Sequence, residues 1–415
     1  MTHVDPTRAK IGGAHPRKDQ PVLALALATQ KRPVRSGPGD VLQLIRLNEA
    51  NTRKDLQDTT GLSRMTLAQR VDSLLAAGLI REAGEGKATG GRRPSRLEFD
   101  VDRSLIAVAS VDTTHSRTAL TNLDGTIHVV EELEVALSTG PEAVLNELAA
   151  SFLRLLEQTD SSLADLSGIG ISVPGPVDPH TGRPSQPPIM PGWDAYPIIE
   201  HLQEALPVPV FVENDADAMA YGEHSVVFPD CAALCLVKVS TGIGTGVVIG
   251  GAVYHGVDGG AGDIGHIRLA GETALCQCGS RGCLASVASG RAVAAELAAM
   301  GLDAHSGRDL RRLIAEGSAE TLSSIHEAGR KIGEVMAIVV SVVNPGVLVI
   351  SGDLASSALI AGIRETLYPR SLARATRNLE IRLSSLDENA GLIGMARLVV
   401  NHLFSADEIN RRLSA

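Results

Sequence analysis

Residues 40–99 begin with apolar positions at helical spacing and end on a strand-like alternation. In "DVLQLIRLNEA", Val41, Leu44, Ile45 and Leu47 recur at the intervals that place side chains on one helix face, and Asp40 reads as the N-cap. "TRKDLQDTTGLSRMTLAQRVDSLLAAGLI" predicts two further helices. Thr52 caps the first, which buries Leu56 and ends at Gly61. Ser63 caps the second, from about Arg64 to Ala77, with Leu67, Val71, Leu74 and Leu75 on its apolar side. After Gly78, "LIREAGEGKATGGRRPSRLEF" reads as strand, glycine-rich tip and strand. Two short helices about a tight turn, followed by a hairpin, make a winged helix-turn-helix. Its second helix carries Arg64, Thr66, Gln69 and Arg70, and its wing tip Gly91, Arg92 and Arg93, all placed to meet double-stranded DNA. A small helical module for protein interaction would share the helical pattern.

From about Ile106 the periodicity alternates between strands and helices. "LIAVASVD" with "TALTNLDG", and later "AALCLVKVSTGIGTGVVIGG", read as hairpins. "PEAVLNELAASFLRLLEQ" is an amphipathic helix, and "TLSSIHEAGRKIGEVMAIVVSVVNP" leads into the buried strand "GVLVIS". Hairpins mixed with crossover helices predict an α/β body, whose first half is echoed after residue 232.

Charge separates the two regions. Residues 1–99 hold 17 Lys and Arg against 10 Asp and Glu, whereas the remainder holds 21 against 38. A basic head on an acidic body suits a polyanionic partner for the head, although a solvated tail would carry the same charge. Residues 1–37, with "AHPRKDQ" and "KRPVRSGPG", read as a flexible basic arm in which "PVLALALATQ" is a short helix. No apolar run reaches the roughly 18 residues of a membrane span, and Asn344 and Pro345 interrupt the nearest candidate. Without the apolar core of a secretory signal, a cytoplasmic, reducing location with no membrane partner is expected.

In order, "TGLSRMTLAQRVDSLLAAGLI", "TGGRRP", "GIGISVPGPVD", "VFVENDADAMAYGE", "STGIGTGVVIGG", "GAGDIGH" and "CQCGSRGCL" resemble the motifs of the ROK family of repressors, open reading frames and sugar kinases. The resemblance spans roughly residues 40–400, and the winged helix places it with the repressor branch. It implies a winged helix-turn-helix (38–99) followed by a two-lobed, actin-like (ribonuclease H-like) kinase fold. The first lobe would take 104–226, with 388–415 returning to it, and the second 227–387. It also implies a homodimer or homotetramer on operator DNA, controlled by a sugar or sugar-phosphate effector.

The resemblance assigns sugar contacts to Gly175, Asn214, Asp215, Asp263 and His266. His266, Cys276, Cys278 and Cys283 supply one imidazole and three thiolates, the donor set of a closed structural Zn2+ site, with Gly279 and Gly282 letting the loop turn. Buried free thiols or a C-x-C redox pair would use the same residues otherwise. Phosphoryl transfer needs a base and a glycine-lined phosphate cradle. Asp215 holds the base position, yet the family's D-x-G-G-T turn here reads Asp112-Thr113-Thr114-His115-Ser116-Arg117. The adenosine-side glycines have become Ser351-Gly352-Asp353, and a glutamate expected after the last cysteine is Ala285. The expectation is therefore a sugar-responsive DNA-binding regulator of carbohydrate genes with a degenerate kinase site and only a vestigial base at Asp215. An active sugar kinase that binds DNA, or a repressor without a ligand, is the alternative.

Overall fold

The computed structural model describes residues 37–85 and 95–414. The helix expected in "PVLALALATQ" and the wing-tip residues Gly91, Arg92 and Arg93 lie outside the described residues. The chain opens with α1 (Pro38–Arg46), α2 (Arg53–Thr60) and α3 (Arg64–Ala76), followed by the antiparallel pair β1 (Ile80–Glu85) and β2 (Ser95–Phe99). Thr52 and Ser63 cap α2 and α3 by accepting the amides of Asp55 and Thr66, and Gly61 closes α2 at φ +69°. The start of α1 differs from the expectation. Proline at the first helical position needs no N–H partner, so the helix begins at Pro38, and Asp40 sits one turn in and accepts the Gly37 amide at 3.1 Å. The buried face rotates accordingly: Leu42 joins Val41 and Ile45 in the core, Leu44 is half-buried, and Leu47, past the helix end, is 65% exposed.

Two five-stranded sheets follow. The first is built from β3 (Leu105–Val111), β4 (Ser116–Thr121), β5 (Ile127–Leu133), β6 (Leu166–Val173) and β7 (Val210–Asn214), with α4 (Pro141–Gln158) and α5 (Ile198–Ala205) between them. Next come α6 (Asp215–Val226), β8 (Ala233–Val239), β9 (Ile243–Ile249) and β10 (Ala252–Val253). Then α7 (Leu284–Ala288), α8 (Gly290–Ala299), α9 (Gly307–Glu316) and α10 (Ala319–Val343) lead to β11 (Val347–Ser351), α11 (Ser357–Arg370), α12 (Ala373–Thr376) and β12 (Glu380–Leu383). The sheet orders are β5-β4-β3-β6-β7 and β10-β9-β8-β11-β12, with the first three strands of each antiparallel and the last two parallel. The second half thus repeats the topology of the first, and the architecture is α/β, a winged head on a two-lobed body.

The last two helices join these parts. α13 (Ala390–Leu403) packs against α6 and the face of β3 and β6, and α14 (Ala406–Ser414) packs against α1. One continuous apolar cluster runs from Val41, Leu56 and Leu74 in the head through Phe404 and Ile409 to Met395, Val399, Ile106 and Val108 in the first lobe. No helix among the described residues is long and apolar enough to cross a membrane.

Where α6 and α13 cross, a Cβ on Gly222 would overlap the Ala390 carbonyl oxygen, and one on Gly394 the Ala218 carbonyl oxygen. Neither helix can yield without shifting backbone. Gly394→Ala is therefore expected to lower stability by about 1–3 kcal/mol or more, read as a drop in the urea midpoint; an unchanged midpoint would show that the crossing is loose.

Candidate functional site

On the head, Arg64 and Gln69 project into solvent from the first half of α3, while Thr66 and Arg70 are half-buried. The Thr66 hydroxyl already lies 2.9 Å from that of Ser63, the residue that caps the helix. Behind α3 the head is clasped by the C-terminal helices. Asn410 of α14 accepts the Gly39 amide at 2.7 Å, and Gln43 donates to the Phe404 carbonyl at 2.6 Å. Arg46 donates to the same carbonyl and to Asn401, and stands over the Phe99 ring, which meets Phe404 edge-on at 5.4 Å. Burial here brings the Arg46 guanidinium down to about 10. Periodicity places each helix but not this long-range clasp.

Gly175, Asn214, Asp215, Asp263 and His266 line one cavity between the two lobes, together with Ala285. Asn214 ends β7 and caps α6, its Oδ1 accepting the amides of Ala216 and Asp217 and its Nδ2 donating to Gly175 O at 2.9 Å. One N–H of its amide therefore remains for a ligand. Asp215 is committed more fully. Its Oδ1 accepts the Ala216 amide, and its Oδ2 accepts Lys238 Nζ at 2.6 Å. The same ammonium donates to Asp112 Oδ2 at 3.0 Å, so one buried lysine of β8 in the second lobe ties together two carboxylates of the first. Burial would lower Lys238, but the paired carboxylates hold it well above its ordinary value. Burial raises Asp215 despite the lysine, whereas at Asp112 the burial penalty is outweighed by Lys238 and the Thr113 amide, which leave it below the usual carboxylate range. Lys238 sits in a strand pattern that signals only burial, so the sequence offers no sign that it reaches these acids.

A second cavity adjoins the first and is lined by Thr114, His115, Arg117, Arg311 and Asp353. Its first turn is closed by the Asp112 amide donating to His115 O at 2.9 Å, and Thr113 meets Thr241 of the other lobe hydroxyl to hydroxyl at 2.9 Å. Asp353 is not a bare negative charge. Arg311 pairs with it at 3.3 Å and also with Glu388, so the carboxylate fills and braces the cleft rather than simply repelling an anion.

The four residues of the cysteine-rich loop converge. His266 Nδ1 lies 3.6 Å from Cys276 Sγ, Cys278 Sγ lies 3.7 Å from Cys283 Sγ, and all four donor atoms fall within 4.8 Å of one another. Gly279 and Gly282 adopt φ of +83° and +77°, and a Cβ on Gly282 would overlap the Glu272 carbonyl oxygen. Hydrogen bonds from Ser280 bring the Cys278 thiol down to about 6, while burial beside the other sulfurs pushes Cys283 up to about 12. Such a group of crowded sulfur donors can hold a metal ion.

The ROK family model matches residues 108–402, and a winged helix-turn-helix DNA-binding model matches residues 39–81. The chain is 30% identical over 367 residues to the xylose repressor of Bacillus subtilis, spanning 87% of this chain and 94% of that protein. Among solved structures, a ROK family transcriptional regulator homologous to the E. coli MLC protein superposes with a TM-score of 0.76 at 23% identity, over 92% of this chain and 98% of that one. A ROK family glucokinase from Streptomyces griseus, solved with glucose and AMPPNP, covers 71% of this chain and 99% of its own at a TM-score of 0.62 and 25% identity.

Removing the shared ammonium should have a pH signature. Lys238→Met leaves the buried Asp215 and the half-buried Asp112 without a cation and is expected to cost about 3–5 kcal/mol of stability near neutrality. Without the lysine, burial and mutual repulsion hold both carboxyls above their unfolded values. The variant is then least impaired in acid and loses stability as pH rises through those folded-state values. Urea midpoints of variant and parent should diverge between about pH 5 and about pH 8; a gap independent of pH would contradict the triad.

Proposed function

The chain belongs to the ROK family, and from that premise we propose that it is a sugar-responsive transcriptional repressor of carbohydrate genes. Its winged head holds operator DNA until a sugar or sugar phosphate enters the cavity between the lobes. The observation that carries this reading is the unbroken mechanical path between the two. Asn214 and Asp215 at the cavity form the start of α6; α6 crosses α13 backbone to backbone; α13 runs through Phe404 into α14, which grips α1. A ligand that changes the lobe angle therefore changes the seat of the head. The likeness to a xylose repressor makes pentoses the first sugars to try.

On DNA, Arg64, Thr66, Gln69 and Arg70 enter the major groove, and Gly91, Arg92 and Arg93, outside the described residues, are proposed as further DNA contacts. A homodimer, or a tetramer made of two, presents two such heads to half-sites one helical turn apart. In the cavity, Gly175, Asn214, Asp215, Asp263 and His266 hold the sugar. Zn2+ fits the His266, Cys276, Cys278 and Cys283 donor set, and when bound it supplies structure, joining the His266 turn to the cysteine loop. The reducing cytoplasm keeps such thiols available as ligands.

The same geometry supports binding without phosphoryl transfer. A general base works best as a free carboxylate within reach of the sugar hydroxyl, and pairing with Lys238 lowers the basicity of Asp215. Thr114 and His115 put side chains where backbone amides would cradle phosphate, and the Asp353–Arg311 pair braces the adenosine side.

Fluorescence anisotropy on DNA from upstream of the gene, titrated with a panel of sugars and sugar phosphates, tests the proposal. One sugar should release the DNA without consuming ATP. Arg64→Ala or Arg70→Ala should weaken binding by about tenfold or more and flatten its salt dependence, with folding intact. Binding indifferent to every sugar, or sugar-dependent ATP turnover, would overturn it.

A further inference from the structure

Outside the cysteine cluster a second group of donors converges. A carboxylate oxygen of Glu213, one of Asp217 and a ring nitrogen of His255 lie within 4.8 Å of one another. Glu213 belongs to the end of β7 and Asp217 to the first turn of α6, both in the first lobe, whereas His255 follows β10 in the second. The only link among them is His255 Nε2 to Glu213 Oε2 at 2.8 Å. Asp217 is 4% exposed, and its Oδ1 is buried with no hydrogen-bond partner. A carboxylate oxygen so placed is costly unless something positive meets it. Lys238, the buried cation close by, is already shared between Asp112 and Asp215. Among the described residues no lysine or arginine pairs with Glu213 or Asp217.

We propose that Glu213, Asp217 and His255 form a second metal site, for a divalent transition cation that prefers oxygen and nitrogen donors, bridging the two lobes. Two carboxylates and an imidazole suit Mn2+ or Zn2+, in contrast to the thiolate-rich loop, which selects softer coordination. Donor atoms within 4.8 Å of one another need only small movements to share an ion whose bonds are about 2.0–2.2 Å long. Such an ion replaces the single His255–Glu213 hydrogen bond with bonds from both lobes to one centre, and so holds the lobes at one angle. His402 of α13 stands next to the site, stacked on Phe211 at 5.0 Å and within the electrostatic reach of Glu213 and His255, so the site abuts the helix that leads to the head.

The proposal rests on neither DNA binding nor sugar binding, and its test uses neither. The full-length protein, with zinc in its cysteine loop, is titrated with Mn2+ while free Mn2+ is read by electron paramagnetic resonance. One Mn2+ should bind per chain. Asp217→Asn and His255→Gln should each weaken this by more than about tenfold while retaining the loop's zinc and the parent melting temperature. Cys278→Ser should do the reverse, losing zinc and keeping Mn2+. A parent that binds neither Mn2+ nor a second Zn2+ beyond the cysteine loop would overturn the site, as would parental affinity in both single variants. In that case Asp217 is a protonated carboxyl held neutral by its burial.

Discussion

The crossing of α6 over α13 organises the molecule, because it is made by backbone and cannot be relaxed by a side-chain rotation. Gly222 and Gly394 let each helix rest on the other's carbonyls. α6 begins at the cavity, where Asn214 caps it, and α13 ends at Phe404, whose carbonyl takes hydrogen bonds from Gln43 and Arg46 of the head. The cavity and the head are thus joined by rigid elements in contact. The continuous apolar cluster from Val41 to Ile106 means that the head does not hang on a tether. Regulation then requires only that a ligand favour one lobe angle over another, since an equilibrium shifts by no more than the ligand's differential affinity.

The lobes face each other across polar contacts of unusual weight. Lys238 binds two carboxylates from the opposite lobe, Thr113 meets Thr241, and His255 meets Glu213. Buried charge networks of this kind stabilise little in net terms but penalise any arrangement that separates their members. The cleft is held by its own ion pairs, Lys238 with Asp112 and Asp215, and Arg311 with Asp353. Asp353 illustrates the point: Arg311 pairs with it and with Glu388, so the carboxylate takes part in bracing the cleft.

What the sequence disclosed is what depends on neighbours along the chain. Thr52 and Ser63 as caps, Gly61 as a helix end, the α4 segment, both hairpins and the spacing of the cysteine loop are all local signals, and the duplicated sheet follows from their order. The start of α1 was misplaced because Asp40 is a good cap and Pro38 a better first residue. Lys238 stayed hidden because its partner Asp112 is 126 positions away, and the clasp of Gly39 by Asn410 spans 371. Asp217, two residues past the expected base, carries no signal in the sequence; only its burial and its unpartnered Oδ1 distinguish it.

If the cavity and the head are two ends of one equilibrium, their affinities are linked reciprocally: whatever factor the sugar takes from DNA binding, DNA must take from sugar binding. Calorimetric titration of the effective sugar into the free protein, and into the protein saturated with operator DNA, measures that factor at the cavity end. The expected result is a weaker sugar affinity on DNA, by the same factor that the sugar weakens DNA binding. Identical sugar affinities in the two titrations would show that the cavity and the head act independently.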